Sequence, residues 1–402
     1  MFSKPMGDTR WGLLPKAIHK FKGWTMKKPF YRRAGTNWYD IYWHMQHFSI
    51  AKSRQWMSNW HTYTESLRKN LYRLKQAGRV WNRTFANAIK RKLGFDTIHS
   101  DASVYILLCH HKRGDSDTDM ILILYVNNLL LLGEDLSEIE DVKHQLGKLY
   151  QMKDLRPVSS YLGIWITRDQ NAQAIWTNQQ AYIENALKRI ELLNANSTDT
   201  LLPAGIHFKK SEEPVALNNK TYYQQIIGTL IYAAIGTRLD ITFAATRLLW
   251  FNNNPTKEHI KYVKYILQYL KGTKELKIKY NGSSGTRLIR YSDSDWGENR
   301  DDRHSTSGHV FLMENGAISW ASQQHKIIAL SVGEAEYMEL ASTGWQAAWL
   351  RSFSREIGYP IEGPIPLCSD NQAAIFLMVN PAVKHQTKHI DIQHHYIHMG
   401  TV

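Results

Sequence analysis

Apolar and polar residues recur with two different periods along the first half of this chain. Between 67 and 95 apolar residues return every three or four positions, which is the spacing of one helix face. The same period returns at 136–150 and 178–193. Between these segments SDASVYILLCHH and ILILYV have the composition of strands, and a hairpin that turns near Gln170-Asn171 follows them. These patterns predict helices that alternate with short strands.

A central segment, 196–220, contains two prolines and few periodic positions, and it is the best candidate for a linker. Two or three helices are predicted over 221–272. The last of them has a start signal at 254–258 and a stop signal at 271–272.

From residue 287 the pattern changes to strands. RLIRYSD and GHVFLMENGAISWA predict a strand and a hairpin that turns at Asn315-Gly316. A long helix at 331–357 and a strand at IPLCSD come next. Strands followed by alternating helix and strand predict a mixed sheet with helices packed on it. We therefore expect an α+β or α/β chain.

The composition is that of a folded protein. The 402 residues are 43% hydrophobic, which is enough for two or three domains with cores. The longest apolar runs are too short to span a membrane, and the first residues lack the apolar core of a signal peptide. Cys109 and Cys368 are expected to be free thiols rather than a disulfide. We expect an intracellular protein, cytoplasmic or nuclear, that is neither secreted nor bound to a membrane.

Positive charge is concentrated at the start of the chain. Residues 1–100 hold 20 Lys and Arg against 4 Asp and Glu, whereas the remaining 302 residues hold 30 against 32. Basic residues interleaved with tryptophans favour a polyanion with faces for stacking, such as nucleic acid. For 1–60, a composition without functional meaning is an equally good interpretation.

Over 61–95 the nucleic-acid interpretation is the better one, because the basic residues fall on helical segments. The candidate nucleic-acid-binding residues are Arg68, Lys69, Arg73, Lys75, Arg79, Arg83, Lys90, Arg91 and Lys92.

Three carboxylates stand at the ends of predicted elements in the last segment. Asp293 closes a strand, Glu336 lies one turn into the long helix, and Asp370 closes the next strand. A cluster of three acids would repel itself unless divalent cations occupied it, and two such ions about 3.5–4 Å apart suit phosphodiester hydrolysis. These residues are the candidate catalytic and metal-binding set for two Mg²⁺ or Mn²⁺ ions. Asp295 is expected to point elsewhere. The alternative is that all are solvated strand-end acids.

Two groups of motifs resemble Copia-type retrotransposon Pol polyproteins. The run from YSDSDWGENRDD to GEAEYMEL, with CSDNQAAI and KHIDIQHHYI, is similar to the ribonuclease H domain of that family over 287–398. LYRLKQAGRVWN, YVNNLLLLG and YYQQIIGTLIYAAIGTRLDI resemble the later part of its reverse transcriptase and the connection to the nuclease.

The resemblance implies four segments. Residues 1–60 are atypical, and 61–195 would form part of a polymerase palm and thumb. Residues 196–283 would be a linker and helical connection, and 284–402 a ribonuclease H-like mixed sheet with flanking helices.

One departure from the family concerns the polymerase site. The family carries Tyr-Val-Asp-Asp where this chain has Asn127 and Asn128. An amide oxygen ligates Mg²⁺ weakly and brings no negative charge. The family's upstream metal aspartate has no counterpart either, since Asp8 and Asp40 are not in strand-like apolar settings. We expect no polymerase activity. Arg73 also replaces a family glycine.

A second departure concerns the nuclease. The chain stops at Val402, whereas the family continues into a strand and a helix that supplies a fourth acid. The resemblance therefore implies a truncated nuclease with impaired activity. Asp391 is a less favoured substitute for that acid.

Two functions remain open. The first is a fragment of a Copia-type Pol polyprotein that cuts the RNA strand of RNA–DNA hybrids beside an inert polymerase remnant. The second is a non-catalytic remnant that binds hybrid, DNA or RNA, or a translated pseudogene without activity. The sequence leaves the oligomeric state open.

Overall fold

The computed structural model describes residues 39–45, 77–108, 118–203, 205–206, 208–210, 216–282, 287–297, 303–325, 327–361, 363–368, 371–372 and 374. These residues form helices and mostly antiparallel sheets, an α+β organisation. They divide into two compact units. The six-stranded unit consists of the described residues of Ala34–Val158 with Ser352–Pro360, and the two-sheet unit consists of Ser159–Arg351 with the described residues from Ile361 onward.

The six-stranded unit is an antiparallel sheet with two helices. Its elements are β1 (Tyr39–Met45), α1 (Ala77–Leu93), β2 (Asp96–Thr97), β3 (Val104–Leu108), β4 (Thr118–Tyr125), β5 (Asn128–Gly133), α2 (Leu136–Leu149) and β6 (Met152–Pro157). The strands lie in the order β2-β3-β4-β5-β1-β6. One core joins the helices to the sheet through Phe85, Ile89, Leu122, Leu131 and Ile139. Burying side chains of this size stabilises the fold by about 1.5–3 kcal/mol each.

Several predictions for this unit are confirmed. The helical period at 67–95 corresponds to α1 over residues 77–93, and Phe85 and Ile89 on its apolar face are fully buried. The predicted strand at ILILYV is part of β4 as far as Tyr125, and β4 forms a hairpin with β5. Residues 67–76, and with them Arg68, Lys69, Arg73 and Lys75, lie outside the described residues.

The expectation that Asp40 lies outside a strand was wrong. Asp40 is in β1, which lies between β5 and β6 in the sheet. Its register partner on β5 is Leu132, whereas His44 is the partner of Asn128. The segment YDIYWHM shows no clear alternation, so pairing with a strand more than eighty residues away determines its conformation rather than local pattern.

The two-sheet unit begins with a small sheet and a helical layer. The sheet has the order β10-β9-β8-β7, from β7 (Ser160–Tyr161), β8 (Ile164–Asp169), β9 (Ala174–Asn178) and β10 (Ile278–Asn281). The helices are α3 (Gln180–Arg189), α4 (Leu217–Gly236), α5 (Thr242–Leu249) and α6 (Lys257–Gly272). They share one apolar core, which includes Ile183, Ile227, Leu248, Val263 and Leu267.

Local signals determine where α6 begins. The side chain of Thr256 accepts a hydrogen bond from the His259 amide, and His259 Nδ1 accepts one from the Thr256 amide. This reciprocal cap satisfies two of the amides that a helix start leaves without partners. The predicted start and stop of this helix are confirmed.

The second sheet of this unit contains the candidate acid Asp293, near the end of one of its strands. It consists of β11 (Leu288–Ser294), β12 (Thr306–Met313), β13 (Gly316–Gln324) and β14 (Leu367–Cys368), in the order β13-β12-β11-β14. β14 is parallel to β11, and the other pairs are antiparallel. The long predicted helix is α7 (Val332–Glu356).

The β12–β13 hairpin turns one residue earlier than predicted. Its central residues are Glu314 and Asn315, both with left-handed φ, and Gly316 already pairs with Met313. Gly316 is needed for another reason, because a Cβ there would lie 2.2 Å from Cδ1 of Tyr280. No helix in the described part of the chain is long and apolar enough to cross a membrane.

Candidate functional site

Asp293 lies where β11 ends, between two neighbouring strands. Its register partner on β12 is Gly308, and the parallel strand β14 pairs with β11 at Tyr291 and Cys368. The Asp295 amide still donates to the Thr306 carbonyl at 3.0 Å, and Gly297 then turns the chain with a φ of 59°. The Asp293 side chain is exposed at this strand end.

Glu336 reaches the same strand end from α7. The Ser294 amide donates to Asp293 Oδ1 at 2.9 Å and to Glu336 Oε1 at 3.3 Å. Since both oxygens lie within 3.3 Å of one nitrogen, they are no further apart than twice that distance. Glu336 is only 3% exposed. A buried carboxylate is costly unless hydrogen bonds or cations compensate its charge, and paired hard oxygens are the ligands that Mg²⁺ and Mn²⁺ prefer.

The third predicted acid lies outside the described residues, as does Asp391. The described part of β14 ends at Cys368, two residues before Asp370. Among the described residues, no group of three or more His, Cys, Asp or Glu side chains could hold a metal ion. The structure therefore brings together Asp293 and Glu336, and the rest of the predicted set stays a prediction.

A buried polar layer under α7 was missed by the sequence reasoning. Ser307 Oγ donates to Ser294 Oγ at 3.2 Å and is hydrogen-bonded to His325 Nε2. One turn beyond Glu336, the buried Glu339 carboxylate pairs with His309 Nδ1 at 3.0 Å. The spacing of Glu336 and Glu339 is a signal that these acids share one helix face, but nothing in the sequence places His309 opposite them.

Burial is the main influence on the pKa of His325. It lowers that pKa below the ordinary value of 6.5, and the neighbouring His304 acts in the same direction as the smallest of the causes. The charges of Glu339 and Asp295 oppose this shift but are smaller causes. His304 Nδ1 donates to the His325 carbonyl at 2.8 Å. The imidazole therefore contributes to the layer as a neutral hydrogen-bonding group.

Asn127 and Asn128 lie in the other unit, at the tip of the β4–β5 hairpin, where Val126 and Asn127 form the turn and Asn128 begins β5. Tyr125 pairs with Asn128, and Val126 carries the turn with a φ of 56° and 64% exposure. A β-branched residue in this region is strained, at a cost of order 1–3 kcal/mol. Trp81 Nε1 donates to the Val126 carbonyl at 2.6 Å, so α1 helps to hold the strained turn.

The basic side chains of α1 face solvent. All five candidate residues that the structure describes are exposed, namely Arg79, Arg83, Lys90, Arg91 and Lys92. Lys90 is paired with Asp96. Positions 79, 83 and 90 fall within 40° of one another around the helix axis, at 100° per residue, so α1 presents an exposed cationic stripe roughly 120° around the axis from the buried Phe85 and Ile89.

Comparisons with known proteins found a matching family and relatives among retrotransposon proteins. A family described as Reverse transcriptase (RNA-dependent DNA polymerase) matches residues 57–204. The retrovirus-related Pol polyprotein from transposon TNT 1-94 of Nicotiana tabacum is 37% identical over 82% of this chain and 25% of its own length. The corresponding polyprotein from transposon RE1 of Arabidopsis thaliana is 34% identical over 83% of this chain and 22% of its own length.

A shorter relative is covered almost completely. The putative transposon Ty5-1 protein of Saccharomyces cerevisiae is 32% identical over 70% of this chain and 89% of its own length. The chain thus spans about a quarter of the two plant polyproteins and most of the yeast protein.

The burial of His325 predicts how its protonation and the stability of the fold depend on pH. Its imidazole should titrate below 6.5, because burial disfavours the charged form. Stability from the neutral imidazole is then fully present above about pH 6.5 and is lost as the pH falls from there towards the folded-state pKa. An NMR titration of the imidazole protons, with His325→Gln to assign the resonance, measures this. A pKa at or above 6.5 would show that the layer stabilises the cation instead.

Proposed function

The chain belongs to the family of Copia-type retrotransposon Pol polyproteins, and on that premise we propose that it binds nucleic acid and hydrolyses the RNA strand of RNA–DNA hybrids, without polymerase activity. The observation that carries the nuclease is the Ser294 amide, which donates to both Asp293 and Glu336. The remaining support comes from the strand register around these residues.

Asp293 and Glu336 would hold divalent cations, and their hydrogen bonds orient them for this role. Oxygen donors from a strand end and from a rigid helix suit Mg²⁺ or Mn²⁺. When bound, such ions activate water and stabilise the leaving oxygen of a phosphodiester. The Ser294 amide fixes one oxygen of each carboxylate, while burial of Glu336 keeps water from competing for it. Preorganised ligands of this kind lose little entropy on binding.

We assign Asp370 as the third acid from the strand register. Cys368 of β14 pairs with Tyr291 of the parallel strand β11, and in the sequence Asp370 follows Cys368 by two residues, as Asp293 follows Tyr291. Parallel strands that continue together present equally spaced residues at the same end of a sheet. Asp391 has no such support from the described strands.

The assignment of the nuclease residues predicts which substitutions lower the rate of hybrid cleavage. Purified chain with Mg²⁺ or Mn²⁺ should cut the RNA strand of a labelled RNA–DNA hybrid, at the impaired rate that the sequence implies. Glu336→Gln keeps the shape of the side chain but removes its charge, and it should lower the rate by roughly 100-fold or more. Asp370→Asn should do the same.

Asp391→Asn is the matched control, since it removes one carboxylate outside the proposed set and should leave most of the activity. Cleavage that survives Asp370→Asn but disappears in Asp391→Asn would mean that the acids are wrongly assigned. No metal-dependent cleavage by the unaltered chain would favour the non-catalytic function instead.

The absence of polymerase activity is proposed from the charges around the β4–β5 turn. Asn127 and Asn128 supply no negative charge. On β1 the register partner of Asn128 is His44, and Asp40 lies four residues away, roughly 13 Å along a strand. Neither Asn127 and Asn128 nor the β1 position that pairs with Asn128 supplies the carboxylates needed to hold two dications together, so these residues do not fit the metal ions of the family.

Primer extension tests this point. No template-dependent product is expected with Mg²⁺ or Mn²⁺, and Asn127→Asp with Asn128→Asp should not rescue activity because β1 still offers no acid beside the turn. Product above that of a mock preparation, from either protein, would contradict the proposal.

The non-catalytic alternative has its own observation in its favour. The exposed cationic stripe of α1 suits the phosphate backbone of a polynucleotide whether or not either site is active. A chain that binds hybrid with an affinity that depends on salt but never cuts it would perform this second function.

A further inference from the structure

We propose that α6 forms a second nucleic-acid-binding surface, at which Lys257, Lys261, Lys264 and Lys271 contact the phosphate backbone of the RNA–DNA hybrid. The surface lies in the two-sheet unit and is separate from the candidate residues of α1. The identity of the ligand rests on the proposed function, whereas the surface itself rests on the geometry of α6.

The four lysines lie on one face of the helix. They stand at relative positions 0, 4, 7 and 14, and at 100° per residue all four fall within 40° of a common direction. At 1.5 Å per residue the row is roughly 20 Å long. The opposite face carries the buried Val263, Ile266 and Leu270. Lys257 and Lys261 are exposed, and Lys264 and Lys271 are half-buried.

Charge on this face is not neutralised by the residues that the structure describes. Among the described residues, none of the four lysines forms an ion pair with a carboxylate. Glu258 is exposed on α6 but lies about 100° away from Lys257 around the axis. Glu191 lies near Tyr222, where its charge contributes to raising the pKa of the phenol. The four lysines thus outnumber Glu258 and Glu191, the two acids beside the row, and the surface has a net positive charge.

Aromatic side chains flank the lysine row. Lys264 Nζ lies 5.5 Å from the centre of the Tyr222 ring, and the Tyr265 hydroxyl is hydrogen-bonded to Thr200 Oγ1 at 2.8 Å. Both rings are partly exposed. Proteins that bind single-stranded nucleic acid line their grooves with basic residues along the phosphate backbone and with aromatic rings beside them. A helix face that is charged only to interact with water has no need of such rings.

The helix is held rigidly at both ends. Thr256 and His259 cap its start. At its end the buried Arg238 donates to the Thr273 carbonyl at 3.0 Å, and Lys271 Nζ donates to the Ala195 carbonyl at 2.6 Å. A fixed row of cations loses less conformational entropy on binding than flexible ones. Lys271 is the most constrained of the four, so Lys257, Lys261 and Lys264 are the residues to test.

The test is hybrid binding by fluorescence anisotropy, with EDTA present so that cleavage cannot occur. The full chain carrying Lys257→Gln, Lys261→Gln and Lys264→Gln should bind a labelled RNA–DNA hybrid more weakly. The slope of log affinity against log salt should fall by about 2–3, near 0.9 for each lost phosphate contact. Lys148→Gln, Lys153→Gln and Lys188→Gln remove three exposed lysines elsewhere and should leave the slope nearly unchanged.

Substitution of the three α6 lysines by arginine keeps the charge and should preserve the salt slope. Three results would each overturn the proposal. The first is an equal loss of hybrid affinity in the α6 glutamine variant and in the control variant, and the second is an equal loss in the arginine variant. The third is a preference of the chain for vesicles of anionic phospholipid over the hybrid. Because binding is read without metal, this result is independent of whether Glu336→Gln abolishes cleavage. The surface and the nuclease can therefore fail separately.

Discussion

Repulsion between carboxylates that share a small volume is the constraint on which the proposed site at the end of β11 depends. At the end of β11 the Ser294 amide brings Asp293 and Glu336 together, and their charges require compensation by hydrogen bonds or cations. At the β4–β5 turn the corresponding positions are amides, and β1 presents His44 at the neighbouring register position. The same chain thus keeps an acidic site in one unit and carries a neutral turn in the other.

The neutral turn keeps its conformation despite the loss of charge. Val126 has a left-handed φ that a β-branched residue adopts only under constraint. The constraint comes from β4–β5 pairing and from the Trp81 hydrogen bond to the Val126 carbonyl. The hairpin and α1 therefore determine the backbone conformation of the turn, whereas metal binding there would depend on side-chain charge. Amides have nearly the same shape as carboxylates. Two amides in place of two carboxylates would therefore remove metal binding without changing the backbone conformation.

Elements specified by local signals could be predicted from the sequence, and contacts between distant segments could not. The period through Phe85 and Ile89 identified α1, and the cap at Thr256 identified the start of α6. β1 was missed because its conformation depends on pairing with β5 and β6. Of the candidate site, Asp293 and Glu336 were predictable from strand-end and helix positions. His309 and Glu339 were not, since their contact depends on how α7 packs on β12.

A titration of the purified chain with Mn²⁺, followed by calorimetry or by the paramagnetic resonance of the free ion, distinguishes the end of β11 from the β4–β5 turn as the metal site. The unaltered chain should bind Mn²⁺, and Glu336→Gln should weaken this binding by roughly 10–100-fold. Asn127→Ser with Asn128→Ser should leave it unchanged. Binding that persists in Glu336→Gln but disappears in the serine variant would place the metal site at the wrong end of the chain and contradict the account.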